Sequence, residues 1–98
     1  MPLKITYWSL STKDPNIAGH IISSESLAIS ATSAQSAATP ANADLVCITA
    51  TEVAAFDYSG TNPTALAGAT GTSSYLAANT ERWMDAIPGN KIAGIQAT

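Results

Sequence analysis

TERWMDAIPGNKIAGIQ, residues Thr80 to Gln96, is the stretch that decides how this chain is read. Two runs with apolar residues at alternate positions flank Pro88-Gly89-Asn90. Proline restricts φ, glycine accepts positive φ, and asparagine tolerates the left-handed region, so the triplet marks a turn. Alternation on both sides predicts two strands, and the short break predicts a β-hairpin closing near the C-terminus. By parity, either Met84 and Ile92 or Trp83 and Ile87 fill a core.

Working outward, Asp44–Thr51 (DLVCITAT) is the strongest single strand. Its run Leu45, Val46, Cys47, Ile48 is nearly unbroken, as in a strand covered on both faces. Val53 to Tyr58 follows with Ala54, Phe56 and Tyr58 on one face, and Phe56 is the firmest core assignment. The break between these runs fits a hairpin or a bent, bulged continuation equally. Leu3 to Trp8 alternates as well, with Leu3, Ile5 and Tyr7 opposite Lys4, Thr6 and Trp8. His20–Ser23, Ser26–Ala31 and Tyr75–Ala78 read as further short strands.

Between these lie three loops. Ser11–Gly19 contains Asp14-Pro15-Asn16, a turn signal. Thr32–Ala43 (TSAQSAATPANA) lacks a hydrophobic anchor, its Pro40 opposes helix, and its Ser and Thr compete for backbone bonds. Ser59–Ser74 is rich in small residues and carries Gly60, Gly68 and Gly71. The pattern predicts one all-β domain spanning residues 1–98. Its architecture is expected to be an antiparallel β-sandwich or jelly-roll-like fold of six to eight short strands. Residues 32–43 are expected to form a long Ser/Ala-rich loop or extended arm. No stretch carries an apolar stripe at helical spacing.

Charged residues make up 11% of the 98, against roughly 25% in a typical soluble domain. Ser, Thr, Asn and Ala replace them, which suits a surface packed against neighbours, where few charges need desolvation. The net charge is −3, and Lys4, Lys13, Arg82 and Lys91 are scattered, so no nucleic-acid partner is expected. No apolar run approaches the roughly 20 residues that span a bilayer, so no membrane partner is expected either. The N-terminal MPLKITYWSLS lacks the basic and apolar regions of a secretory signal, which predicts synthesis and use without export by that route.

Chemistry is sparsely provided for. Cys47 is the single cysteine, set among apolar neighbours without a nearby cation or His, and reads as buried and inert. His20 is the single histidine, so a multi-histidine metal site is excluded within the chain, and a structural role is the expectation. Glu81 and Asp85 share strand parity with Trp83 between them. At about 3.3 Å per residue they stand ~13 Å apart, too far for a hydrolytic carboxylate pair. Gly68-Ala69-Thr70-Gly71-Thr72 is followed by no Gly-Lys-Ser/Thr, so it is not a phosphate-binding loop. No serine sits in a G-x-S-x-G elbow. Neither an enzyme activity nor a cofactor or metal is expected.

The aromatic residues stand out more. In so alanine-rich a chain some must fill the core, and tryptophan is also enriched in binding hot spots. Trp8 falls opposite the Leu3/Ile5/Tyr7 face, so its own face is covered by a second layer or meets a partner. Tyr7, Trp8 and Trp83 are the candidate partner contacts.

The segment Asp44–Ile95 also resembles the C-terminal portion of small tailed-phage virion structural proteins. The residues that carry the likeness are LVCITATEVAAFDYSG, an NPTA loop, YLAANTERW and a closing PGNKIAGI, about half of the chain. The resemblance implies an all-β virion subunit of the capsid decoration (cement) type, or a head or tail fibre component. The implied partners are the major capsid protein or other virion proteins, and copies of the chain itself. The implied location is the virion, after synthesis in a host cytoplasm. The alternative is a carbohydrate- or receptor-binding module built on Trp83 and neighbouring Tyr or Asp side chains.

Overall fold

The computed structural model describes residues 2–10 and 18–97. Most of the loop expected over Ser11–Gly19 lies outside the described residues. Among the described residues there are eight strands: β1 (Pro2–Leu10), β2 (Ala18–Ala28), β3 (Ala34–Gln35), β4 (Leu45–Ala50), β5 (Ala54–Gly60), β6 (Ser74–Leu76), β7 (Glu81–Asp85) and β8 (Lys91–Gln96). They form two four-stranded sheets, ordered β2-β1-β4-β7 and β3-β8-β5-β6, with every pairing antiparallel. The all-β expectation of six to eight short strands in a sandwich holds, and neither sheet closes into a barrel.

Pairing is nested. β5 pairs with β6, β4 with β7 and β3 with β8, so one long ribbon is rolled across both sheets, the winding of a jelly roll. The next partner in that series would be a ninth strand beside β2. Here β1 takes the place instead, pairing with β2 on one side and β4 on the other.

Alternation explains which side chains turn inward. Leu3, Ile5 and Tyr7 of β1, Val46 and Ile48 of β4, and Leu27 of β2 meet Phe56, Leu76 and Ile92 of the second sheet. Leu3, Ile5, Val46, Ile48, Leu76 and Ile92 are under 2% exposed, and each such burial contributes about 1.5–3 kcal/mol. Gly94 sits where the layers come closest. A Cβ there would lie 2.9 Å from Ile29 Cγ2 and 3.1 Å from Leu3 Cδ2.

The expected closing hairpin is not formed. β7 pairs with β4 in the first sheet, while β8 pairs with β5 and β3 in the second. Asn90 N–H donates to Ile87 O at 3.1 Å and Gly89 has φ 84°, so Ile87-Pro88-Gly89-Asn90 is a type II turn. Turns of that hand splay their flanking strands rather than aligning them, and the chain crosses between layers. Of the two core alternatives, Met84 and Ile92 face inward, and Trp83 and Ile87 are exposed.

Residues 51–53 likewise carry the chain from β4 in one sheet to β5 in the other, so neither a hairpin nor a continuation of one strand occurs. The strand expected over His20–Ser23 and the first half of that expected over Ser26–Ala31 are one, β2, which ends at Ala28 and has register shifts opposite Tyr7/Trp8 and Trp8/Leu10. An edge strand needs no apolar residue at its centre, which is how Ser23 and Ser24 fit within it.

Residues 32–43 form a loop with β3 inside it, and it lies against its own domain. Ser36 N–H donates to Ile92 O at 2.8 Å and Ser36 Oγ accepts from Ile92 N–H at 2.9 Å. Thr39 N–H and Oγ1 both donate to Asn90 O at 2.8 Å. Hydroxyls replace the missing hydrophobic anchor: Ser36 and Thr39 are 5% and 4% exposed.

Candidate functional site

The two outer sheet faces differ in how they are covered. Over the second sheet, residues 61–73 fold back and bury Ala55, Ala65, Ala93 and Ile95 in a small separate cluster. Polar bonds hold that cover. Ala65 N–H donates to Ser33 Oγ at 3.0 Å, and Gln35 Nε2 donates to Asn62 Oδ1 at 2.7 Å and Pro63 O at 2.8 Å. Asp57, 4% exposed, accepts from Thr72 Oγ1 and from Ser59 N–H, both at 3.0 Å.

Over the first sheet, no segment of the described chain is laid across the strands in this way. The register builds its outer surface row by row. Ile21, Trp8, Leu45 and Asp85 form one row across β2, β1, β4 and β7, and Ser24, Thr6, Cys47 and Trp83 form the next. Trp8 and Trp83 therefore stand on strands either side of β4, and their ring centroids are 5.9 Å apart with planes tilted by 47°. Trp83 is 44% exposed and Ile21 53% exposed.

Cys47 lies between the two tryptophan-bearing strands, 9% exposed. Its Sγ–H meets Glu81 Oε2 at 3.5 Å, and the same oxygen accepts from Trp83 Nε1 at 3.1 Å. Burial, and secondarily the Glu81 carboxylate, push the thiol pKa up to about 11, so Cys47 is held as the neutral thiol. His20 is no partner for it. Cys47 is level with Thr6 and Ser24, whereas the His20 ring bonds Ser9 Oγ through Nδ1 at 2.8 Å near the far end of β1.

Of the three candidate contact residues, the structure brings Trp8 and Trp83 together on the open face. Tyr7 is not with them. It is 2% exposed and points into the core, as its parity with Leu3 and Ile5 requires, so it is withdrawn as a contact. Ile21 and Leu45 complete the apolar patch and were missed, because β2 and β4 gave no sign of their order around β1. Glu81 and Asp85 do share this face with Trp83, each in a different row.

A concavity of about 400 Å³ lies at the open side between the sheets, lined in part by Phe56, Tyr58, Arg82, Met84 and Ile87. Arg82 and Tyr58 are engaged within the fold. Arg82 donates to Ser74 Oγ and Tyr75 O at 3.4 and 3.2 Å and lies 5.5 Å over the Phe56 ring. Tyr58 Oη accepts from Ile87 N–H at 2.8 Å. Among the described residues, no three His, Cys, Asp or Glu side chains are grouped to hold a metal.

No family model, curated protein or solved structure matches this chain.

Proposed function

We propose that the chain is a non-catalytic packing module that presents the outer face of β2-β1-β4-β7 to a neighbouring protein, as a virion subunit of the capsid decoration type. The observation that carries the contact reading is the Trp8–Trp83 pair, lying with Ile21 and Leu45 on the sheet face that its own loops leave open. Paired large aromatics ringed by smaller polar groups have the composition of an interface hot spot. The low charge of the chain supports the same reading, since contact then desolvates few ions. The phage setting rests on the resemblance of residues 44–95 alone.

Many copies bound to a shell stabilise it by mass action and avidity, with no turnover. The test is sedimentation of the purified protein with capsids and mass spectrometry of virions. Co-sedimentation that is lost in Trp8→Ala/Trp83→Ala, with folding intact, is the expected result. Absence from virions together with no association with capsid or tail proteins overturns the reading. Glycan-array binding lost on Trp83→Ala would favour the carbohydrate-binding alternative, in which a pyranose ring stacks on the exposed indole.

A further inference from the structure

Trp83 is the middle one of three residues that β7 turns outward, Glu81, Trp83 and Asp85. Strand residues two apart share a face and stand about 6.6 Å apart, so this exposed indole has a carboxylate on either side of it. Glu81 is also fixed to the indole, since its Oε2 accepts Trp83 Nε1–H at 3.1 Å. A carboxylate offers about four lone-pair sites, so Glu81 keeps acceptor capacity beyond its bonds to Trp83 and Cys47. Across β4, the Trp8 ring supplies a second π system, 5.9 Å away and tilted by 47°.

Such a group attracts a cation in two ways. The face of an indole is electronegative and holds a cation within about 6 Å of its centroid, and the flanking carboxylates add full negative charge. The chain has four bases, and they leave this charge unanswered. Arg82 has the opposite parity on β7 and is engaged by Ser74 Oγ, Tyr75 O and the Phe56 ring. Lys91 belongs to β8 in the other sheet, and Lys13 lies outside the described residues. Lys4 is on this face, but in β1, with Thr49 of β4 between it and Glu81. The rows that hold Trp83 and Asp85 contain no base.

The surroundings select the kind of cation. Ile21 and Leu45, in the Asp85 row beside Trp8, are apolar surface that a free ion leaves in water and a protein partner covers. Of the two basic side chains, arginine fits better. Its planar guanidinium stacks on an aromatic face while its edge donates in a fork to a carboxylate, whereas lysine brings a strongly hydrated point charge. We infer, resting on the reading of this face as a contact surface, that the partner protein lays an arginine side chain over Trp83, between Glu81 and Asp85. Ile21 and Leu45 then receive the apolar residues around that arginine. A second copy of this chain is a poor source for it, because its single arginine is Arg82, held against Phe56.

The probe is N-acetylarginine amide, with N-acetylcitrulline amide as its uncharged isostere. Each is titrated into the purified protein, and the tryptophan Nε1–H signals are followed by nuclear magnetic resonance. The expected result is a saturable shift of the Trp83 signal with the arginine probe alone, weakened by added salt. Glu81→Gln/Asp85→Asn keeps an acceptor for Trp83 Nε1–H and should leave the circular dichroism spectrum unchanged. It should weaken arginine binding about two- to fivefold for each carboxylate removed. No shift, an equal shift with the citrulline probe, or binding unchanged in the amide variant overturns the inference. Capsid sedimentation separates it from the packing function. Association lost in Trp8→Ala/Trp83→Ala but unchanged in the amide variant overturns the arginine subsite and leaves the packing function standing. Failure of the unaltered protein to sediment with capsids counts against the packing function, and the arginine titration still decides the subsite.

Discussion

Tyr58 Oη accepts the backbone N–H of Ile87 at 2.8 Å and lies 2.6 Å from Thr39 Oγ1. One hydroxyl on β5 thereby ties the corner after β7 to the loop that precedes β4. Removing it in Tyr58→Phe leaves Ile87 N–H without that partner and Thr39 with one fewer. The expected cost is about 1–2 kcal/mol, read as a lower urea midpoint with an unchanged slope. Thr39→Val should lower the midpoint in the same direction. The double variant should cost less than the sum of the singles, because both remove the same contact.

Gly94 is the close-approach point of the two layers. Gly94→Ala places a methyl 2.9 Å from Ile29 Cγ2 and 3.1 Å from Leu3 Cδ2, and such overpacking costs typically about 1–3 kcal/mol. Gly60→Ala is the control. A Cβ there meets nothing within 4 Å, and the loss of unfolded-state freedom should leave stability unchanged or raise it by about 0.4–1 kcal/mol. Thermal denaturation of the two variants should give shifts of opposite sign or very unequal size.

The Cys47 thiol should react slowly at mild alkaline pH. With its pKa near 11, only about one thiol in a thousand is thiolate at pH 8, and the rate of modification by a disulfide reagent should climb up to pH 11. Glu81→Gln should move the profile down only in part, because burial is the larger cause. The sign for stability follows. The folded state holds this proton more tightly than the unfolded chain, whose thiol titrates at about 8.5. The contribution of Cys47 is therefore complete below that pH and is lost as pH rises to about 11, a loss that Cys47→Ser would not show.

Trp8 and Trp83, at 5.9 Å, are close enough for their indole transitions to couple. The far-ultraviolet circular dichroism should carry an exciton couplet that either Trp8→Phe or Trp83→Phe abolishes equally. If one variant removes the couplet and the other keeps it, the pair is not formed between these two rings.

How far the chain could be read follows from what alternation encodes. The Leu3/Ile5/Tyr7 face, the Phe56 assignment and the outward Trp8 were legible because a period of two states which face a side chain occupies. It does not state which sheet a strand joins. Pro88-Gly89-Asn90 announced a turn correctly, but a hairpin and a corner between layers need the same alternating flanks. Thr32–Ala43 read as unanchored because Ser36 and Thr39 hold it by hydroxyl bonds that hydropathy cannot register. For the same reason only half of the open face was visible. Trp8 and Trp83 were individually conspicuous, but their adjacency depends on β4 standing between β1 and β7.

The substitution of β1 for a ninth strand also has a kinetic meaning. β5 and β6 can meet across a connection of 13 residues, but β4 must await β7, and β3 must await β8 near the end of the chain. The first sheet is complete only when the N-terminal strand has slotted in between β2 and β4. Strands far apart in sequence must pay the entropy of long loop closure before any pairing returns it, so acquisition of this structure should occupy about milliseconds to seconds rather than microseconds. During that interval β4, the most apolar strand, has both of its flanks bare. A chain emerging from a ribosome offers β1 before β8, so residues 32–43 can dock onto β8 only after every other strand has been made.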